Sequence, residues 1–381
     1  MPPTQILLSA GEASGDVYAA QLATALKARM NCEIFGMGGD QMRAAGVDVV
    51  TDYSEVSVLG ITEILAHLPQ LIGAMRGLVG AAEKRRPALA VLTDFPGFHL
   101  RLARKLKPLS VRNVYYICPQ FWAWRPWRVR IVRRRFALAL CIFPFEEKFF
   151  GDAGVPVKFI GHPLVGKVGP SQGRQAFFAA HQLDPSKKLV TILPGSRNSE
   201  LKRHLPVLRV ACSRIHSETA VQFVVAAAPG RSAMLQQGWP RGLDVPVIEG
   251  HTYDALAHAD ASIVSSGTAT VEAALLDAPM VVVYRVSALT AILAKPLVRT
   301  EFFSMVNLIA GREVVPEVIQ KDFTPERVAA QTLRLLRDSS AVAAMRTQLA
   351  EVRRKLGPPG AVERAADAIY GLLTTPSGNA S

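Results

Sequence analysis

The chain has 381 residues, more than one hydrophobic core usually serves, so its length predicts two domains. With 49% hydrophobic and 20% charged residues, its composition is that of a globular protein and excludes a largely disordered one. The net charge of +13 predicts an anionic partner, which could be a phosphorylated substrate, an acidic membrane surface or a nucleic acid.

Cysteine usage and the first residues predict the compartment. The four cysteines are scattered, without a Cys-x-x-Cys pair or a Cys/His cluster, which favours reduced core residues and argues against a structural zinc site. An apolar strand-like run begins at residue 5 without the basic segment and long apolar core of a secretory signal. No uncharged apolar run is long enough to cross a bilayer. We therefore expect a cytoplasmic protein.

Short apolar, β-rich runs alternate with longer helix-patterned segments. This alternation predicts the α/β class, with parallel sheets covered by helices and ligands bound at the carboxyl ends of the strands. In the first half, strands are expected at residues 5–10, 32–36, 88–93, 113–118, 138–143 and 157–160. In the second half, they are expected at residues 189–193, 222–227, 245–248, 262–265 and 280–284. Two Rossmann-like domains that face a cleft are the simplest architecture.

A stretch rich in Gly, Pro and Ser at residues 166–173 interrupts this rhythm and predicts a linker. The expected domains are therefore residues 1–166 and residues 174–356. A helical pattern near the C-terminus is broken by Gly-Pro-Pro-Gly, so residues 357–381 are expected to form a helix and tail that cross back onto the first domain.

The motif SAGEASGD at residues 9–16 follows the first predicted strand and opens a helix. Its two glycines would let a ligand approach the backbone, and Glu12 and Ser14 are candidate substrate-binding residues. The spacing matches neither a dinucleotide fingerprint nor a Walker loop, so a plain turn with a Ser or Asp cap is the alternative. The glycines of residues 36–39 are expected to form a tight turn.

The segment at residues 56–75 is unusually apolar for a loop of a cytosolic protein. Leu59 and Ile61 within it are candidate lipid contacts. A buried interdomain helix is the alternative, and periodicity does not exclude it.

The loop at residues 93–99 places Asp94 at the end of a predicted strand. Phe95 and Phe98 would partly desolvate its carboxylate and raise its affinity for a proton, as abstraction from a sugar hydroxyl requires. The residues themselves leave open an aspartate that only caps the following helix. His99 is a second candidate, with a structural role as its alternative.

Residues 119–135 hold three tryptophans and six arginines, which is not the composition of a core. In a helix beyond Pro126, Trp127 and Ile131 would share one face among arginines, an arrangement suited to acyl chains and lipid phosphates. Stacking of single-stranded bases is the alternative. The candidate lipid contacts are Trp122, Trp124, Trp127 and Arg128.

Two turns in the second half favour anions. Ser266, Gly267 and Thr268 lie between a strand and a helix, where free amides and the helix dipole would stabilise a diphosphate. Glu272, one turn further, could accept hydrogen bonds from ribose hydroxyls, and Arg197 could grip the diphosphate. An ordinary helix cap is the alternative. Because the chain contains no Asp-x-Asp dyad, we expect no metal or other cofactor.

Together these segments resemble the lipid-A-disaccharide synthases, glycosyltransferases of the lipopolysaccharide pathway with the two-domain GT-B fold. The matching segments follow the family's order and span most of the chain. They are SAGEASGD at 9–16, PQFWAWR at 119–125, FPFE at 143–146, GHPL at 161–164, LPGSR at 193–197, SGT at 266–268 and NLIAGRE at 307–313.

The resemblance implies transfer of 2,3-diacylglucosamine from its UDP derivative to the 6-hydroxyl of 2,3-diacylglucosamine 1-phosphate. Asp94 matches the family's general-base candidate, Arg197 its diphosphate contact and Glu272 its ribose contact. Asn307 is similar to a functionally important asparagine expected near the donor. The first domain would then bind the acceptor and lipid, and the second the UDP-sugar.

The resemblance also implies partners and location. The enzyme would lie peripherally on the cytoplasmic face of the inner membrane, without a nucleic-acid partner, and its oligomeric state stays open. The chain departs from the family at Gly97 and Gly166, where relatives often carry acids, which leaves Asp94 as the only acid of its loop. The rivals are another enzyme of the same fold, such as a UDP-N-acetylglucosamine 2-epimerase or a transferase using a lipid-linked muramyl acceptor, and a non-catalytic lipid- or RNA-binding protein.

Overall fold

A computed structural model describes residues 2–56, 68–240, 242–287, 290–291 and 300–374. The chain divides into two compact units. The first unit comprises Met1–Pro163 and Gly357–Ser381, and the second comprises Leu164–Leu356. No helix in the described ranges is both long enough and apolar enough to cross a membrane.

The first unit is built on a seven-stranded sheet in which each observed strand pair is parallel. The strand order is β3-β2-β1-β4-β5-β6-β7. The strands are β1 Thr4–Ala10, β2 Cys32–Gly38, β3 Asp48–Asp52, β4 Leu89–Thr93, β5 Arg112–Tyr116, β6 Leu138–Cys141 and β7 Val157–Phe159. Helices cover both faces, so the central strand β4 is buried along its whole length.

Helices follow most of these strands, as expected for a doubly wound sheet. They are α1 Ala13–Arg29, α2 Asp40–Ala44, α3 Leu68–Arg85, α4 Pro96–Leu106, α5 Phe121–Trp124, α6 Val129–Arg135 and α7 Pro144–Asp152. The edge strand β3 was not predicted from the sequence, because its side chains are mostly half-buried or exposed and do not form a long apolar run.

The second unit repeats this architecture on a six-stranded parallel sheet of order β10-β9-β8-β11-β12-β13. Its strands are β8 Lys188–Leu193, β9 Val221–Ala227, β10 Val247–Glu249, β11 Ala261–Ser265, β12 Met280–Tyr284 and β13 Glu317–Ile319. Its helices are α8 Arg174–Ala180, α9 Asn198–Glu218, α10 Ser232–Gln236, α11 Thr252–Ala257, α12 Thr268–Leu275, α13 Met305–Ala310, α14 Pro325–Arg337 and α15 Ser339–Lys355.

The last helix, α16 (Ala361–Thr374), belongs to the first unit and packs on α1. Arg29 Nε lies 2.6 Å from Asp367 Oδ1, and Arg112 Nη1 donates to the carbonyl of Leu372 at 2.7 Å. The two parallel α/β units and the returning helix confirm the fold class predicted from the sequence.

The predicted tight turn at residues 36–39 is wrong, because β2 continues through Gly38. Gly36 is required there for a different reason. A Cβ atom at this position would lie 1.9 Å from the carbonyl oxygen of Leu8 on the neighbouring strand. The glycine therefore permits close approach of two strands.

The strand order shows where the four loops that carry candidate site residues lie in each sheet. The order reverses between β1 and β4 in the first unit, and between β8 and β11 in the second. Ligands of open parallel sheets bind beyond the carboxyl ends of the strands that flank such a switch point. The loops after these four strands contain Glu12, Asp94, Arg197 and Gly267.

Candidate active site

Asp94 lies directly after β4 in an uncommon backbone conformation. The φ angles of Asp94 and Phe95 are 46° and 44°, in the left-handed region that costs a non-glycine residue about 1–3 kcal/mol. The Asp94 N–H donates to the carbonyl of Tyr116 at 3.1 Å. Strain held at the end of a central strand is typical of a functional position.

Two side chains hold the carbonyl oxygen of Asp94. His99 Nδ1 lies 2.8 Å from it, and the Tyr115 hydroxyl donates to it at 3.2 Å. On the other side of the imidazole, Nε2 lies 2.8 Å from Ser9 Oγ. His99 is fully buried, and burial lowers its pKa to about 4, so the ring is neutral near pH 7.

The carboxyl group of Asp94 has an unusually high proton affinity. Its pKa is raised to about 6, mainly by burial and also by the nearby carboxylate of Glu12, while a hydrogen bond from the Phe95 N–H opposes the shift. The direction agrees with the desolvation predicted from the sequence. Glu12 thus supplies a second acid near Asp94 that the loop itself lacks.

The loop after β1 divides into exposed and buried residues. Glu12 and Ser14 are exposed, whereas the buried Asp16 accepts hydrogen bonds from the backbone N–H groups of Gly39 and Met42 at 2.7 and 3.2 Å. A Cβ atom at Gly11 would lie 2.2 Å from the ring of Phe95. Gly11 therefore makes room for the Phe95 side chain, whereas the sequence predicted room for a ligand at this position. Asp16 stabilises the start of α2.

In the second unit, a cavity of about 600 Å³ lies beyond β8 and β11. The cavity brings together five residues predicted from separate segments. These are Arg197, Ser266, Gly267, Thr268 and Glu272. The carboxyl ends of neighbouring parallel strands meet at one edge of the sheet, which is why the two turns share one cavity.

Two buried side chains hold the turn that carries Arg197. Glu200 accepts hydrogen bonds from the N–H groups of Ser196 and Arg197 at 3.1 and 3.2 Å, and His204 Nδ1 lies 2.7 Å from the carbonyl of Pro194. The Arg197 guanidinium pairs with Glu200 at 3.2 Å. Because 62% of the Arg197 side chain is exposed, the guanidinium is also available to an anion. The acid three residues after Arg197 is the helix-start signal that could have identified Glu200.

The Ser266–Thr268 turn presents backbone to the cavity. Gly267 has a φ of 144°, and a Cβ atom there would meet open space. The Ser266 N–H and hydroxyl already donate to the carbonyls of Val283 and Phe303, at 3.0 and 2.8 Å. An anion in this cavity would therefore meet the first N–H groups of α12, those of Thr268 and Ala269, whereas Ser266, predicted to bind substrate, already uses both of its donors.

Glu272 is half-buried in α12 and lines the same cavity. Burial raises its pKa, and the hydroxyl of Tyr253, which donates to Oε1 at 3.2 Å, acts in the opposite direction. Its carboxylate can accept hydrogen bonds from vicinal hydroxyls. Tyr253, which sequence reasoning missed, fixes the side chain and also lines the cavity.

Asn307 requires a correction. It is fully buried, and its Nδ2 donates to Val315 O and Glu317 Oε1 at 2.9 and 2.8 Å. Its Oδ1 accepts from the N–H groups of Val314 and Val315 at 2.7 and 3.0 Å. These four bonds use the whole capacity of the amide. The expected direct contact with the donor is therefore replaced by a structural role.

The network around Asn307 reaches the anion-favouring turn indirectly. Glu317 also accepts hydrogen bonds from the N–H groups of Phe303 and Ser304, both at 2.9 Å. The carbonyl of Phe303 in turn accepts the hydroxyl of Ser266. Asn307 therefore supports the cavity through the backbone at residues 303–304.

The aromatic and basic segment of the first unit is largely at the surface. Trp124 and Trp127 are 39% and 59% exposed, and the Arg125 guanidinium lies 4.4 Å from the Trp124 ring centroid. Trp122 differs, because its Nε1 donates to the buried Glu146 at 3.1 Å. Ile131 packs against the core and does not share the exposed face of Trp127, contrary to the helix prediction.

Leu59 and Ile61 lie outside the described residues. The helix α3, which begins at Leu68, exposes 47% of Leu68 and 43% of Ile72. These two residues are one helical turn apart and therefore form one apolar strip on the surface.

Comparison with known proteins places the chain in a family. Residues 6–368 match the family model described as lipid-A-disaccharide synthetase. The chain belongs to this family. The lipid-A-disaccharide synthase of Solibacter usitatus (strain Ellin6076) is 47% identical over 97% of both chains.

Solved structures show the fold. A putative UDP-N-acetylglucosamine 2-epimerase from Listeria monocytogenes has a TM-score of 0.67 at 12% identity, covering 98% of this chain and 97% of that chain. The calicheamicin glycosyltransferase has a TM-score of 0.60 at 17% identity, covering 99% of this chain and 100% of that chain. These likenesses agree with the GT-B fold that the resemblance predicts for this chain.

Proposed function

We propose that this chain transfers 2,3-diacylglucosamine from its UDP derivative to the 6-hydroxyl of 2,3-diacylglucosamine 1-phosphate. Family membership makes it a hexosyltransferase of lipid A biosynthesis. The observation that carries the assignment of a UDP-linked donor is the cavity of the second unit, in which a cation, a helix N-terminus and a carboxylate line one space. Those three groups match a diphosphate and its ribose.

On the donor side, the Arg197 guanidinium and the first amides of α12 would neutralise the charge that develops on departing UDP. Glu272 would hold the ribose hydroxyls. Neither role needs a divalent ion, because the cation and the helix dipole supply positive charge. We expect product formation to survive a chelator.

On the acceptor side, Asp94 would accept the proton of the 6-hydroxyl as its oxygen attacks the sugar carbon that bears UDP. The bond from that carbon to the diphosphate oxygen breaks as the new bond forms, so the configuration inverts. A carboxylate with a raised pKa is better matched to this proton transfer near neutral pH than an ordinary one.

The pH dependence should report Asp94. The base works only when unprotonated, so kcat/KM should fall about tenfold per pH unit below about pH 6, the raised pKa of this group. The Glu12→Gln substitution removes the like charge near Asp94, so it should move this acidic limb of the pH profile to lower pH. Initial rates of UDP release from pH 5 to 8 measure both effects. An unchanged limb in Glu12→Gln would contradict the electrostatic link to Asp94.

We further propose that the enzyme binds peripherally to the cytoplasmic face of the inner membrane. Trp124 and Trp127 supply exposed amphipathic rings, and neighbouring arginines supply positive charge for lipid phosphates. The apolar strip of Leu68 and Ile72 offers a second contact with acyl chains.

Replacing both Trp124 and Trp127 by alanine should weaken binding to anionic vesicles by about tenfold or more, because two interfacial aromatic side chains are lost. Sedimentation with vesicles of phosphatidylglycerol and phosphatidylethanolamine measures the change. Tyr370→Ala removes an equally exposed aromatic ring (42%) from α16 and is the matched control. Equal binding of the two variants and the unaltered protein would remove this surface from the proposal.

Mass spectrometry of the reaction tests the function directly. Incubation with UDP-diacylglucosamine and the monosaccharide 1-phosphate should give a β(1→6)-linked disaccharide phosphate and UDP. Likeness in fold to the Listeria protein identifies the rival reaction that this experiment should test, which is epimerisation at carbon 2 of a UDP-sugar. That reaction needs no acceptor. UDP release that depends on the acylated acceptor supports the transferase, whereas acceptor-independent chemistry supports the epimerase.

A further inference from the structure

A chain of hydrogen bonds runs from Ser9 through His99 to the backbone of Asp94. We propose that His99 is a positioning residue for Asp94: it fixes the left-handed backbone that presents the carboxylate to the acceptor, and Ser9 holds its ring in place. The inference rests on the proposed role of Asp94 as base. It assigns a task to two residues outside the substrate-binding set.

The donor and acceptor at each step follow from chemistry. The carbonyl oxygen of Asp94 can only accept, so the His99 nitrogen 2.8 Å away, Nδ1, carries the proton. The ring is buried and neutral, so Nε2 has a lone pair and the Ser9 hydroxyl donates to it at 2.8 Å. The chain of bonds therefore has one direction, from the Ser9 hydroxyl to the Asp94 carbonyl.

The backbone of Asp94 is held on both sides. Its N–H donates to the carbonyl of Tyr116 at 3.1 Å, and its carbonyl accepts from Tyr115 as well as from His99. Rotation of the peptide between Asp94 and Phe95 out of the left-handed region would break both bonds to this carbonyl. Because a side chain leaves the backbone in a direction set by φ and ψ, these bonds also set the direction of the carboxylate.

His99 acts through Asp94 and does not itself meet the substrate. The side chain is fully buried, with the Phe95 and Phe98 rings edge-on at 5.8 Å. Both ring nitrogens have protein partners at hydrogen-bond distance. His99 is therefore not a second base, because its ring has neither access to solvent nor a nitrogen without a hydrogen-bond partner.

Two substitutions separate the two bonds of the imidazole. The amide nitrogen of asparagine can take the place of Nδ1, so His99→Asn keeps the donor to Asp94 and loses the contact with Ser9. The longer glutamine places its amide near the position of Nε2, so His99→Gln keeps the contact with Ser9 and loses the donor to Asp94. The pair is matched in polarity and differs in which bond survives.

We expect His99→Gln to lower kcat about a hundredfold at unchanged KM, since a base displaced by about 1 Å loses that much rate. His99→Asn should retain most of kcat. In an Asp94→Asn background, His99→Gln should cost little more, because the group it positions is already absent. Equal losses in the two His99 variants, or a full further loss in the Asp94→Asn background, would overturn the proposal.

A spectroscopic measurement tests the tautomer without activity. Nitrogen-15 NMR of the histidine rings should show His99, assigned by its loss in His99→Asn, with a protonated Nδ1 and an unprotonated Nε2. Ser9→Ala, which leaves the core volume nearly unchanged, removes the partner of Nε2, so the ring should be held less firmly and kcat should fall, while the proton stays on Nδ1 facing the Asp94 carbonyl. This variant serves if His99→Gln does not fold. A protonated Nε2 in the unaltered protein would refute the assignment.

Failure of this inference is distinguishable from failure of the proposed function. If the unaltered protein makes no disaccharide, or if Asp94→Asn is fully active, the function or the base assignment fails and the NMR result still reports the ring. If disaccharide forms and Asp94 is required, but both His99 variants behave alike, only the positioning role fails.

Discussion

Replacing Asp94 with asparagine is expected to lower turnover about a thousandfold, in the range found when a general base is removed. Asparagine is nearly isosteric and tolerates the left-handed backbone observed at this position, so the loop should keep its shape. The change therefore removes the proton acceptor and little else. Disaccharide formation followed by mass spectrometry measures the loss.

Affinity for UDP separates chemistry from binding in this variant. The nucleotide cavity lies in the second unit, so UDP should stabilise Asp94→Asn against heat as much as it stabilises the unaltered protein. Asp152→Asn removes a carboxylate that is 65% exposed in the first unit, the unit that also contains Asp94, and is the matched control for charge. Near-normal turnover of Asp94→Asn would exclude Asp94 as the base.

Replacing Asn307 with aspartate is expected to destabilise the second unit by about 3–4 kcal/mol. The change puts a carboxylate oxygen where Nδ2 now donates to Val315 O and to the carboxylate of Glu317, at 2.9 and 2.8 Å. Two donated bonds become two repulsive contacts inside a fully buried site. Differential scanning calorimetry should show the unfolding temperature lowered by about 10 °C.

The matched control is Asn31→Asp, the same chemical change at an exposed residue, which should alter stability by less than about 0.5 kcal/mol. The comparison also tests the structural role of Asn307. An unchanged unfolding temperature together with a large loss of UDP affinity would return Asn307 to a direct contact with the donor. A large loss of stability would support its structural role.

Residues at strand ends were predictable because their signals are local. An apolar run followed by a small-residue turn and a helix pattern marks Asp94, Arg197 and Gly267 without knowledge of the fold. The parallel sheet then brings the loops of neighbouring strands to one edge, so Arg197 and Glu272 line one cavity. Their chemical roles stay proposals, since they rest on the resemblance and on this geometry.

Other features had no local signal. Gly11 and Gly36 resemble ligand-binding or turn glycines, yet each makes room for a partner distant in sequence, Phe95 and the Leu8 carbonyl. Asn307 was expected to contact substrate because it matches a functionally important asparagine of the family. The full set of its partners, all within ten residues of it, is visible only when the segment through Glu317 is folded.

The amino-acid sequence by itself determined the two α/β units, the returning last helix and the loops that carry Asp94, Arg197 and Glu272. Hydrophobic periodicity and turn residues specify these elements through interactions between near neighbours in the chain. Only the tertiary structure decided the surroundings of each side chain: the Glu12 carboxylate that adds to the raised pKa of Asp94, and the burial that keeps the ring of His99 neutral. Burial and hydrogen-bond partners depend on which distant segments meet, and that is settled when the sheets and helices pack.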